Sequence, residues 1–433
     1  RPELDVVRYV LAFARLTAVR NPDGTDVDLL GRLASHAGWV RDQVAPRLRD
    51  AAAGAVVSAA LPALLARTRT ARQELLDAGI VYRDALEAEI TTRLLAVASG
   101  GGGGAGYGYP GAYEMLDRAG LVPDLLAGTS VGAMMSLFRA HQRDYTFTPF
   151  VAAARRLSWG GVFQVLDTRH RYGVPATLRV RLRNALGGLF VGPEGGPLRL
   201  CDTAIPFVAV ATGLTLEGLA HGVTYAEHLP DDDARRSGSA GLGAHAVRVF
   251  RELLAQPSAL RMVALGRDPG TETFDALDAV GFSSAVPGVL QYDLGGEDDE
   301  MRRLLDGLYA ADGITRLVEG GLTSNVPARV AWETIASGRF GRRTAFVVAL
   351  DGFAPNPRRI GWLPLQIAVR AANVDADRTF ADLYVPFTRT LSPLNLLPTI
   401  RDTMEAVRWG RDEIRPHLAF ARAMCAPIRV LPD

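Results

Sequence analysis

The stretch from residue 94 to residue 141 restricts the fold more than any other part of the chain. Leu94-Leu95-Ala96-Val97-Ala98-Ser99 is a short apolar run, the pattern of a strand buried on both faces. It leads into Gly100, Gly101, Gly102, Gly103 and Gly104, with Gly106 just beyond. A helix is expected over residues 112–119, closed by Gly120. A second strand, Leu125-Leu126-Ala127, enters Gly128-Thr129-Ser130-Val131-Gly132, and a further helix is expected over residues 133–141. Strand, glycine loop, helix, strand, turn, helix is a repeating unit of parallel sheets. The expected fold is therefore α/β in three layers, a mostly parallel sheet flanked by helices, with an all-helical region ahead of it.

Apolar runs at 207–211 and 344–350 supply further buried strands. Residues 229–243, rich in Asp, Arg, Ser and Gly, read as an exposed mobile loop. Residues 1–92 read as a wholly helical accessory region in which Asn21-Pro22-Asp23-Gly24 makes a turn. Asp26 is the candidate cap of the next helix, and Pro46 and Pro62 are expected to end or kink helices. The central region, 93–355, should carry the chemistry. Residues 356–433 form a helical, proline-punctuated extension packing on it. Within that extension the apolar segment 360–367, with Trp362, is read as core, or as part of a ligand channel or interfacial surface.

Composition excludes some partners. Among 433 residues 48% are hydrophobic and 22% charged, enough for a sizeable ordered core. The net charge of +1 gives no global field to gather nucleic acid or an anionic membrane, so any lipid attraction must be local. All 48 basic residues are arginine, as GC-rich bacterial codons favour. Cys201 and Cys425 suit neither a disulfide framework nor a metal knuckle. The apolar run at 51–66 is shorter than the roughly 20 residues a bilayer span requires. The chain opens on Arg1, so its native start is expected to be missing. A cytoplasmic or peripheral-membrane setting is expected, with the N-terminal helices available for homo-oligomer contact.

Gly128-Thr129-Ser130-Val131-Gly132 fits the nucleophile elbow, in which a serine on a sharp strand-to-helix turn projects from the sheet edge. The glycine run upstream has two readings. Gly101, Gly103 and Gly106 match the spacing of a dinucleotide loop, but the second strand ends in Ala127-Gly128 and offers no acid for a ribose. As an oxyanion hole, the bare amides of Gly101, Gly102, Gly103 and Gly104 would face a charge developing beside Ser130. An α/β-hydrolase would need a late histidine, and His417 lies in a helical Arg-Pro-His-Leu context with no loop signature. A carboxylate must then serve as base. Glu319 ends an apolar strand, and Gly320 and Gly321 come directly after it, with Pro327 poised to start a helix. Asp351 and Asp312 are held in reserve. The structural alternative for Glu319 is an ion pair with Arg316.

Three segments in this order resemble the patatin-like phospholipases: Gly101–Gly106 with Gly111, then Gly128-Thr129-Ser130-Val131-Gly132, then Glu319-Gly320-Gly321 with Asn325 and Pro327. Residues 283–289 and 202–211 resemble further segments of that family. The resemblance implies a lipid acyl hydrolase of phospholipase A or lysophospholipase type, acting without metal or organic cofactor on a lipid or membrane-surface substrate. It gives Ser130 the role of nucleophile, the acid at 319 that of base, and the amides around Gly102, Gly103 and Val131 that of oxyanion hole. The chain departs from the family pattern twice: Glu319 stands where aspartate is usual, and Ala105 where Arg or Lys is usual. A binding module with a disabled dyad and a Ser-His-Asp esterase are the rival readings.

Overall fold

The computed structural model describes residues 2–45, 53–165, 171–174, 176–215, 248, 251–294, 298–357 and 360–429. Pro46, the segment 229–243, and His170, His221, His228 and His245 lie outside them. The chain forms two compact units. One comprises Arg1–Leu95, Glu333–Phe346 and Ala419–Asp433; the other comprises Ala96–Trp332 and Val347–Leu418.

The first unit contains α1 (Pro2–Ala14), α2 (Leu30–Val44), α3 (Ala53–Asp77) and α4 (Arg83–Thr91). It is not wholly helical. Strands β1 (Ala18–Arg20) and β2 (Asp26–Asp28) form an antiparallel hairpin with Val19 opposite Val27. The Asn-Pro-Asp-Gly turn explains it: Gly24 takes φ 86° and the Asp23 carboxylate accepts the Thr25 N–H at 2.9 Å. Asp26 does not cap a helix, because its carboxylate pairs with Arg20 at 2.9 Å. Asp28 instead accepts the Leu30 N–H at 2.9 Å. Pro62 neither ends nor interrupts α3, whose Leu61 and Leu64 pack on Val10 and Val40. No helix among the described residues is long and apolar enough to cross a membrane.

The second unit is built on a seven-stranded sheet. Its strands are β3 (Leu94–Ser99), β4 (Leu125–Thr129), β7 (Phe207–Thr215), β8 (Leu260–Leu265), β10 (Ile314–Glu319), β11 (Ala345–Asp351) and β12 (Leu383–Pro386). A three-stranded sheet holds β5 (Phe163–Val165), β6 (Ala176–Val180) and β9 (Gly288–Gln291). Helix α5 (Tyr109–Arg118) joins β3 to β4, and α6 (Val131–Ala140) comes after β4. The pairs β3–β4, β4–β7 and β11–β12 are parallel, while β8 and β10 run antiparallel to β7. The fold is thus the expected α/β arrangement, a mostly parallel central sheet flanked by helices. Strand β12 is an addition, since the sequence pattern there predicts only helix.

The register around β7 positions the site. Ala209 pairs with Gly128 of β4 and with Leu265 of β8, so β4 and β8 lie on opposite edges of β7. Ala211 pairs with Glu319 of β10 and with Val263 of β8, so β10 lies on the edge that β4 occupies. Strand β4 ends with Thr129 opposite Val210, and β10 arrives from the other direction to end with Glu319 opposite Ala211. Two strands therefore meet end to end along one edge of β7, and the turns that leave their two ends enter the same space.

Candidate active site

Ser130 is the first residue after β4 and caps α6 with φ 56° and ψ −127°, the only positive φ at a non-glycine position among the described residues. Such a conformation costs on the order of 1–3 kcal/mol and persists only where its surroundings enforce it. The helix turn after it is pressed against β3: a Cβ on Gly132 would stand 2.1 Å from the Ser99 carbonyl oxygen. The Ser130 N–H donates to Ser283 Oγ at 2.9 Å, and the Ser283 hydroxyl donates to the Val210 carbonyl. Thr129 Oγ1 donates to the Ser324 carbonyl at 2.8 Å, tying the elbow to the loop beyond Glu319.

Glu319 is buried at the end of β10, and its N–H donates to the Ala285 carbonyl at 2.9 Å. The chain then turns so tightly that a Cβ on Gly320 would fall 2.0 Å from the Val210 oxygen. Oε1 accepts the Gly321 N–H at 3.4 Å, while Oε2 is buried without a hydrogen-bond partner. Burial raises the carboxyl to about 8, against the opposing pull of the Ser130 hydroxyl and the Gly321 amide. Arg316 is not among the groups that shift it. The place where a Gly101 side chain would begin lies 3.2 Å from Ser130 Cβ, 3.4 Å from Glu319 Oε1 and 2.8 Å from Asn325 Oδ1. Hydroxyl, carboxyl and amide therefore converge on a point that glycine leaves open.

The four glycines of the loop are not equivalent. Gly101 N–H donates to the Asn325 carbonyl at 3.0 Å and Gly104 N–H to the Pro393 carbonyl at 3.1 Å. These two amides hold the loop in place. Gly102 and Gly103, at φ 135° and 55°, have N–H groups with no protein acceptor among the described residues. Val131 begins α6, where the first amides of a helix also lack intrahelical partners. Gly128 is packed against α6, its Cβ position 2.5 Å from Ala133 Cα. Ala105 is buried.

Ser130, Val131 and Gly103 line a cavity of about 510 Å³ whose walls include Met134, Phe138, Phe150, Leu186 and Leu290. The cavity is mostly apolar, and no histidine among the described residues lines it. His141 stacks edge-on against Phe190, and His36 belongs to the other unit. The reserve acids are engaged elsewhere. Asp351 accepts the Phe353 N–H at 2.8 Å and the Tyr384 hydroxyl at 2.5 Å, and Asp312 pairs with Arg261 at 2.9 Å.

Segment 360–367 does not line the cavity, and Ile360 and Ile367 are exposed. Its Trp362 meets Phe353 edge-on. The C-terminal wall comes instead from Leu396, Leu397, Pro398 and Ile400. The same part of the chain braces the acid loop. A π-helical turn, Arg370–Val374, presents Asn373, whose Oδ1 accepts the Asn325 N–H at 3.0 Å and whose Nδ2 donates to the Gly321 carbonyl at 3.1 Å. Asp377 accepts the Ser324 hydroxyl. No sequence signal marks Asn373, since only π-helical insertion aims it at the loop; such turns gather at functional sites.

A chain folded in this way around a serine elbow, opening into an apolar cavity, falls within the serine acyl hydrolases. Comparison with protein families narrows the class: the model of the patatin-like phospholipases matches residues 97–332, more than half of the chain, and the chain belongs to that family. Membership implies lipid acyl hydrolase activity. No individual curated protein matches the chain significantly.

Proposed function

We propose that the protein hydrolyses fatty-acyl esters of phospholipids or lysophospholipids, with Ser130 as nucleophile and Glu319 as the only side-chain base. The end-to-end meeting of β4 and β10 along β7 supports this reading most, because the strained Ser130, which lines the apolar cavity, and the buried Glu319 leave strand ends that meet on one edge. The acyl chain occupies the cavity and the ester carbonyl sits over Ser130. Oγ attacks the carbonyl carbon while Glu319 takes the hydroxyl proton. The amides of Gly102, Gly103 and Val131 stabilise the oxyanion. Collapse expels the alcohol, which receives its proton from Glu319, and leaves the acyl group on Ser130. Water then attacks the acyl-enzyme, again giving its proton to Glu319; the free acid departs and Oγ is reprotonated.

A carboxyl held near 8 suits this role, because a general base works best when its pKa lies close to the working pH. The test is covalent and direct. A fluorophosphonate should add to Ser130, located by mass spectrometry of the digest, and mixed phospholipids should yield free fatty acid with the wild type but not with Ser130→Ala. Absence of labelling under conditions that modify ordinary serine esterases would overturn the proposal and favour a binding module.

A further inference from the structure

The cavity that holds Ser130 opens between two helix ends. Met135, Phe150 and Leu186 in its wall are buried, whereas Arg155, Trp159, Thr399 and Ile400 line it and are exposed, so the latter four mark its mouth. Trp159 is 51% exposed and Ile400 36%, and Met404, one turn further along the same face of helix Ile400–Ile414, is 39% exposed. Arginines accompany them. The helix Thr148–Arg156 ends in Arg155 and Arg156, and Arg401 is next to Ile400. Among the described residues these three form no ion pair. The acids of this stretch are Asp402, held by the Thr399 hydroxyl at 2.9 Å, and Glu405, which is paired loosely with Arg408 at 3.5 Å. The helices Thr148–Arg156 and Ile400–Ile414 pack against each other, and Arg155, Trp159 and Ile400 line the same cavity, so these exposed apolar and cationic groups are neighbours around its mouth.

Exposed apolar side chains gathered around the mouth of an apolar cavity and rimmed by charge suit an interaction surface. Tryptophan prefers the boundary between water and hydrocarbon, and arginine pairs with phosphate in a fixed fork. We propose that this mouth docks on an anionic phospholipid bilayer, with Trp159, Ile400 and Met404 entering the headgroup region and Arg155, Arg156 and Arg401 meeting lipid phosphates. The proposal rests on reading the cavity as the acyl site. Its commitment to an anionic bilayer rests on charge complementarity and on the continuity of this surface with the cavity. The chain as a whole carries only +1, so attraction to an anionic bilayer must come from local charge such as this rather than from a global field. Docked in this way, the cavity opens toward the leaflet, and an acyl chain reaches Ser130 without passing through bulk water.

The test uses the full chain carrying Ser130→Ala, sedimented with vesicles of phosphatidylcholine alone or of phosphatidylcholine mixed with phosphatidylglycerol. Binding to the mixed vesicles, weak binding to the neutral ones and release by salt are expected. Adding Arg156→Gln and Arg401→Gln, neither of which lines the cavity, should weaken binding about five-fold for each arginine. Met404→Ser should weaken it further. With Ser130 intact, the same three changes should leave hydrolysis of a soluble short-chain ester unaltered while slowing hydrolysis of phosphatidylglycerol vesicles. Equal binding to both vesicle types, or binding indifferent to these changes, overturns the docking surface. Failure of the Ser130→Ala protein to bind, while the wild type cleaves soluble esters, sinks the docking proposal alone. Vesicle binding as described in a protein that no fluorophosphonate labels sinks the hydrolase reading alone.

Discussion

The backbone N–H of Ser130 donates to the side-chain oxygen of Ser283 at 2.9 Å, and the hydroxyl of Ser283 donates in turn to the carbonyl of Val210. A residue outside both the elbow and the acid loop thus fixes the orientation of the peptide that carries the serine. The same link occupies the amide of Ser130, so in the proposed mechanism Val131 is the elbow's contribution to the oxyanion site.

Replacing Ser283 with alanine leaves that buried N–H unpaired, at about 1–3 kcal/mol. The expected result is a lower melting temperature and a kcat reduced ten- to a hundredfold, because about 1 Å of misplacement costs that much, with KM nearly unchanged. Steady-state kinetics on a soluble ester, together with thermal melts, check both parts.

The raised carboxyl of Glu319 sets a pH profile. As the proposed base, Glu319 must be unprotonated, so kcat/KM should rise with pH and level off above about 8. Glu319→Gln should lower the rate by about 10²–10⁴-fold and remove that limb. Stability has the opposite sign. The folded value of about 8 lies above the ordinary 4.5, so this contribution to stability is fully present below 4.5 and is lost as pH rises through 8. Above pH 8 the Gln variant should therefore melt at a higher temperature than the wild type.

Asn373 reaches the acid loop from outside the residues matched by the family model. Asn373→Ala should reduce kcat by about tenfold or more through loss of positioning, and should slow fluorophosphonate labelling of Ser130 in parallel. Asn373→Asp keeps the acceptor for the Asn325 N–H and should recover part of the loss. Full activity in the alanine variant would show that the loop holds its shape without the clamp.

Met134 lines the cavity one turn after Ser130 on α6. Met134→Trp should shorten the accessible space and shift preference toward short acyl chains, at about 0.8 kcal/mol for each methylene no longer buried. Comparing kcat/KM over a series of p-nitrophenyl esters measures the shift.

Much of this was legible in the sequence, for local reasons. Leu94–Ser99 and Leu125–Thr129 are near-continuous apolar runs because helices cover both faces of their sheet, and glycines mark where backbones nearly touch. Ser130 stands out because its turn needs that glycine pattern. Glu319 emerges only when the histidines are set aside and the three segments are taken in order. The hairpin around residues 21–24 reads as a plain turn, since strands of three residues leave almost no alternation to detect. Leu383–Pro386 escapes for the same reason, and it ends in a proline. Residues 283–289 carry part of the family resemblance, but the contact Ser283 makes, like those of Asn373 and the wall at 396–400, joins distant parts of the chain, which periodicity does not report.

The sharing of one β7 edge by β4 and β10 ties the proposed pairing of Ser130 with Glu319 to strand registration. Slippage of β10 by a single residue during folding would send the acid's side chain to the opposite face of the sheet, where no serine waits. Such a chain could keep nearly all of its ladder and burial, and would look native to any probe of secondary structure. The bulge between Ile314 and Arg316 is well placed to forbid it, since an irregular rung can be satisfied in one alignment only.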